Sequence, residues 1–190
     1  MTAYALQKDI AEEIEKILDC MLLKDVKGNS AHIKAYVQNL PIRQQNISAD
    51  ENDTESVPDK EIPENMDIMQ SEDESNGPDL DFEDDPYPYC IVKVDSGAMQ
   101  QEAQEIQTIL IFGIFDDDPK CQGYQVILNM IHKVAERFTK NPCLKDRYRL
   151  NSENGITWVL DDTEQFPYFF GAMYMTWNTF FVRLEGGKYD

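Results

Sequence analysis

The sequence predicts an α+β protein: an antiparallel or mixed β-sheet with two amphipathic helices packed on one face, interrupted by a long acidic, disordered loop. Three observations carry that expectation. Two stretches repeat apolar residues every three or four positions, several others alternate them or run continuously apolar, and residues 44–85 do neither. Of the 36 acidic residues in the 190-residue chain, 16 fall between Asp50 and Asp85, against Lys60 alone. That stretch holds −15 of the net charge of −19, and the remaining 20 acids against 16 basic residues leave the rest of the chain at only −4. A nearly neutral folded body, 1–43 with 86–190, therefore carries one acidic flexible insert, 44–85.

From Leu6 to Leu23 the apolar residues Leu6, Ile10, Ile14, Ile17, Leu18, Met21 and Leu22 line one helical face opposite Lys8, Glu12, Glu13, Glu15, Lys16 and Asp19, with a stop near Gly28 and Asn29. His32 to Leu40 alternates as a strand ending at Pro41. The insert is too poor in aliphatic residues to offset the entropy of ordering it, so the core has to close across it. Tyr89 to Asp95 is a strand with Cys90, Val92 and Val94 on one face. Gln107 to Phe115, QTILIFGIF, runs almost continuously apolar and predicts a central strand buried on both faces.

The second helix, Gly123 to Lys140, shows one stripe of Tyr124, Ile127, Leu128, Ile131, Val134, Ala135 and Phe138. Tyr148–Leu150 and Ile156–Leu160 predict a hairpin across Asn154 and Gly155. Phe169 to Leu184 predicts a long last strand, with Met173, Met175, Trp177 and Phe181 facing one way and Ala172, Tyr174, Thr176 and Asn178 the other.

Chemistry is sparse. Asp116, Asp117 and Asp118 stand where carboxylates can meet a divalent cation, but three consecutive extended residues cannot all point at one ion, and capping of the helix that follows explains them. His32 and His132 have no neighbouring nucleophile, and CQGYQ lacks phosphate-loop spacing. Cys20, Cys90, Cys121 and Cys143 form no CxxC pair, so reduced and mostly buried thiols are expected. No catalytic group, cofactor or metal is assigned, and an enzyme is not expected. The concentrated acid disfavours nucleic-acid binding, which needs clustered Lys and Arg. The sequence has no apolar stretch suited to a membrane helix, and a signal peptide is not expected at its start.

Two features point to partners. Tyr168, Phe169, Phe170, Met173, Tyr174, Met175, Trp177, Phe180 and Phe181 crowd the last strand with more apolar area than one helix-covered face is expected to hide. Phe169, Met173, Met175, Trp177 and Phe181 are accordingly candidates for a subunit interface. Lys145, Arg147 and Arg149 are candidates for contact with an acidic partner.

The strings PYPYCIVKVDSG, ILIFGIFDDDPKCQGYQVILNMIHKVAERF, NPCL and WVLDDTEQFPYFFGAMYMTW resemble a family of small proteins encoded in tail-morphogenesis regions of prophages of Gram-positive bacteria. In size and element order these are similar to the tail terminator or tail-completion proteins of long-tailed phages. The likeness covers most of Tyr87 to Trp177, and the acidic insert departs from it. It implies a non-enzymatic subunit that forms a ring, hexameric in such terminators, caps the tail tube and contacts the head connector. The implied location is the cytoplasm during assembly and the virion tail afterwards. Another head–tail connector component is the nearest alternative. An acidic decoy that mimics nucleic acid and a metal-dependent hydrolase built on Asp116–Asp118 are alternatives of other classes.

Overall fold

The computed structural model describes residues 2–41, 86–99, 103–120, 122–163 and 165–180. The acidic insert, Cys121 and Phe181 lie outside the described residues. In order, the elements are α1 (Ala3–Leu18), β1 (Leu23–Lys24), β2 (Ser30–Ala31), β3 (Lys34–Val37), β4 (Tyr89–Met99), β5 (Ala103–Phe115), α2 (Gly123–Lys140), β6 (Cys143–Leu144), β7 (Tyr148–Leu150), β8 (Ile156–Leu160) and β9 (Tyr168–Phe180).

Helix α1 starts where the Thr2 hydroxyl accepts the Ala5 N–H, which satisfies one of the donors a helix N-terminus leaves open. Its predicted apolar face is the buried one, with Leu6, Ile10, Ile14 and Leu18 sealed in the core. Helix α2 buries Ile127, Ile131, Val134 and Phe138 as its period requires, together with Met130. Tyr124, predicted on that stripe, is exposed; at the start of α2 it is Gly123 that is buried, against the Phe169 ring.

The main sheet has the order β3-β4-β5-β9-β7-β6, and β8 also pairs with β9. It is mixed: β3 runs parallel to β4, from Lys34 opposite Tyr89 to Val37 opposite Val92, while β4, β5 and β9 are antiparallel neighbours. The chain on either side of the insert thus joins in one ladder. Cys90 and Val92 of β4, Ile106, Leu110 and Phe112 of β5, and Met173, Met175 and Trp177 of β9 form one continuous core with both helices.

Three expectations need correction. The central strand β5 is helix-covered on one face only; Ile109 and Ile111 on its other face are half-buried. Next, β7 and β8 do not pair with each other. Both lie along the same edge of β9, Tyr148–Leu150 against Trp177–Thr179 and Ile156–Leu160 against Gly171–Met175. The thirteen-residue β9 offers an edge long enough for both, and Gly155, at φ +64°, makes the turn between them. Lastly, the first helix ends at Leu18 and not at Leu23, which belongs to a two-stranded β1–β2 hairpin with Asp25 accepting the Asn29 N–H at 2.7 Å.

Two glycines set packing distances on β5 and β9. The Tyr89 ring lies on Gly113, where a Cβ would come within 2.4 Å of it, and Ile127 of α2 seats against Gly171, where a Cβ would stand 2.5 Å from its Cγ2. Among the described residues no helix is long and apolar enough to cross a membrane.

Candidate functional site

The residues predicted to face another subunit divide sharply. Met173, Met175 and Trp177 are fully enclosed in the core, so they present nothing to a second chain. Trp177 meets Phe138 edge-on at 5.1 Å, and its indole N–H donates to Thr108 Oγ1 at 3.1 Å; that hydroxyl in turn donates to the Met175 carbonyl at 3.2 Å. Phe169 is half-buried, with its ring against Gly123 at the start of α2. Both helices pack over this face of the sheet and join these side chains in one core, which corrects the interface assignment for Met173, Met175 and Trp177.

The basic cluster is also corrected in part. Lys145 donates to Asp9 Oδ1 at 2.7 Å and to Glu12 Oε2 at 2.6 Å, while Arg147 stands 3.8 Å from Asp9 Oδ2. Their acidic partner is α1 of the same chain. Lys145 and Asp146 both take positive φ, 48° and 53°, in the tight turn between β6 and β7, and that turn aims the ammonium at α1. The bond to Asp9, then that to Glu12, raises the Lys145 pKa, and the bond from Lys145 holds the Glu12 carboxyl below its usual range. Burial, then the charge of Asp9, pushes the Tyr148 hydroxyl up. Asp9 Oδ2, Tyr148 Oη and Thr179 Oγ1 are buried without a hydrogen-bond partner among the described residues. Arg149 alone of the three basic residues is exposed without an ion pair among those residues.

Asp116 and Asp118 do not cap α2, whose N-cap is Gln122 and carries no side-chain cap bond. They bind their own loop, Asp116 accepting from Asp118 N–H and Asp118 from Lys120 N–H, while Asp117 pairs loosely with Lys24 at 3.7 Å. Among the described residues no three His, Cys, Asp or Glu side chains gather as metal ligands do. Of the thiols, Cys90 is buried and its pKa is strongly raised by desolvation, Cys143 is half-buried and Cys20 is exposed, which corrects the expectation of mostly buried cysteines. His32 lies 3.5 Å from Asp19, at the surface.

What the structure adds is the second face of the sheet. Register aligns Ile91, Ile111, Ala172 and Val159 in one row across four strands, with Lys93, Ile109, Tyr174 and Thr157 in the next. At one end of these rows Tyr87 packs on Tyr89 and on Tyr168, each at 5.0 Å, and on Phe170 at 6.2 Å, while Phe115 meets Tyr168 at 5.7 Å. Among the described residues both helices pack on the opposite face. Tyr174 and Val159 are 42% and 50% exposed here. The sequence carried a signal for this face: Ile91, Ile109 and Ile111 sit at the positions that alternation reserves for solvent.

No family model matches this chain, and no curated protein does.

Proposed function

We propose that this protein is a structural subunit of a long-tailed phage, of the tail terminator or tail-completion type, acting by association with copies of itself and with the tail tube and head connector. The observation that carries the reading is the apolar second face of the sheet, with aromatic residues at one end and Lys93, Gln107 and Thr157 at its margins. An apolar centre with a polar rim is the anatomy of a protein interface. The face belongs to the segment, Tyr87 to Trp177, in which the likeness to the prophage proteins lies. Neighbouring copies seated on it head-to-tail close a ring when their rotation closes.

Purified protein examined by electron microscopy, alone and mixed with tail tubes, tests the proposal. Rings, or a cap at one tube end, are expected, and Tyr174→Glu should abolish them while leaving the melting temperature nearly unchanged. Monomeric protein that ignores tube ends would overturn it. Replacing 44–85 by a short Gly/Ser linker separates this reading from a decoy. A tail subunit keeps its fold and assembly, whereas a decoy loses its binding.

A further inference from the structure

The outer edge of β8 is the second feature of the surface that no partner among the described residues explains. The Asp161 N–H donates to the Phe170 carbonyl at 3.1 Å, and this fixes the phase of the β8–β9 ladder. In an antiparallel pair, opposed residues alternate between those that exchange both bonds and those whose backbone groups point away. Asp161, Val159 and Thr157 bond to β9, so the N–H and C=O groups of Ile156, Trp158 and Leu160 point outward. Among the described residues no strand takes them.

The other open edges of the sheet are guarded in ways natural sheets use to prevent pairing. On β3 the Ala35 N–H goes to the Glu15 carboxylate at 3.0 Å, and β6 is two residues long. On β4 beyond the reach of β3, Gln38 takes the Val94 N–H, the strand is irregular between Val94 and Ser96, and Asp95 and Gly97 follow. The sequence of β8, ITWVL, has no charge, proline or glycine, and Trp158 and Val159 are each about half exposed.

We propose that β8 pairs with β8 of a second copy, antiparallel, about a two-fold axis at Trp158. In that register Trp158 opposes its twin and Ile156 opposes the partner's Leu160, so every outward backbone group of the strand is used. The flanking charges favour this direction. Asp161 and Asp162 then fall beside Gly155 and Asn154 of the other copy, whereas a parallel arrangement would set Asp161 against its twin and cost like-charge repulsion. The contact joins the two sheets into one and brings Thr157 against the partner's Val159 on the second face.

This two-fold contact is isologous and closes on itself, so it is distinct from the ring contact proposed above. Sedimentation of the full chain over a dilution series, with hydrogen exchange read at single amides, tests it. A reversible dimer is expected in which the Ile156, Trp158 and Leu160 amides are protected and lose protection on dilution. Trp158→Pro removes one outward donor without touching the β9 ladder and should abolish the dimer, and Trp158→Phe should retain it. Val159→Lys, at an exposed position, serves as the second disrupting variant should the proline variant fail to fold. Fast exchange at those three amides at every concentration, or a dimer that survives both disrupting variants, would overturn the proposal. Rings that persist in Trp158→Pro, or pairs that persist in Tyr174→Glu, tell the two contacts apart.

Discussion

Replacing Trp177 by alanine tests whether the aromatic strand is core or interface. The side chain has no accessible surface, packs edge-on against Phe138 and donates to Thr108, itself buried. Deleting a buried tryptophan costs about 3–5 kcal/mol through lost transfer energy and the cavity left behind. The lost indole bond adds about 1 kcal/mol, since Thr108 keeps its own bond to the Met175 carbonyl. A total of ~4–6 kcal/mol is a large part of the ~5–15 kcal/mol that holds a typical protein folded. For a chain of this size it lowers the melting temperature by roughly 8–24 °C. Calorimetry and urea unfolding followed by far-UV circular dichroism measure it. Trp177→Phe, which retains the ring contact and loses the N–H, should fall well short of that loss, and Tyr174→Ala on the opposite face should change stability by about 0.5 kcal/mol or less. A Trp177→Ala protein that melts like the parent but sediments as a smaller species would refute the reasoning.

Gly171→Ala drives a Cβ to 2.5 Å from Ile127 Cγ2 and to 3.3 Å from Leu160 Cδ2, at an expected cost of about 1–3 kcal/mol in thermal unfolding. Because leucine lacks that γ-methyl, adding Ile127→Leu should recover part of the loss, giving a double variant less destabilised than the two single effects combined. The Glu12 pKa is lowered on folding, so its contribution is complete above the unfolded value near 4.5 and is lost as pH falls through the folded value. Lys145 has the opposite sign: its raised pKa gives stability that is complete below about 10.5 and lost at higher pH. Melting temperature measured against pH should therefore decline at both ends, and Lys145→Met should flatten the two limbs together. Under native conditions iodoacetamide should alkylate Cys20 and spare Cys90 until the protein unfolds, as peptide mass spectrometry can follow; Cys90 labelled at the rate of Cys20 would contradict its burial.

The two helices and the alternation of the last strand were determined by sequence alone. An amphipathic period is a local property: Ile127, Ile131, Val134 and Phe138 announce the buried side of α2. Alternation puts Met173, Met175 and Trp177 on one side of the last strand without deciding whether helices or a second chain cover it. Partner choice is not local. Tyr148–Leu150 and Ile156–Leu160 carry the signature of a hairpin, yet both dock on β9, because one long strand can satisfy the backbone groups of two short ones in line. Lys145 and Arg147 read as free cations until the β6–β7 turn brings them to Asp9, far away in the chain. The aromatic crowding of the last strand is divided between two faces that only the assembled sheet tells apart: Met173, Met175 and Trp177 lie under the helices, and Tyr168, Phe170 and Tyr174 lie on the other side. Only the assembled sheet, whose one face both helices occupy, shows that Ile91, Ile111, Ala172 and Val159 form a row, and that β8 ends with its hydrogen-bonding groups turned outward.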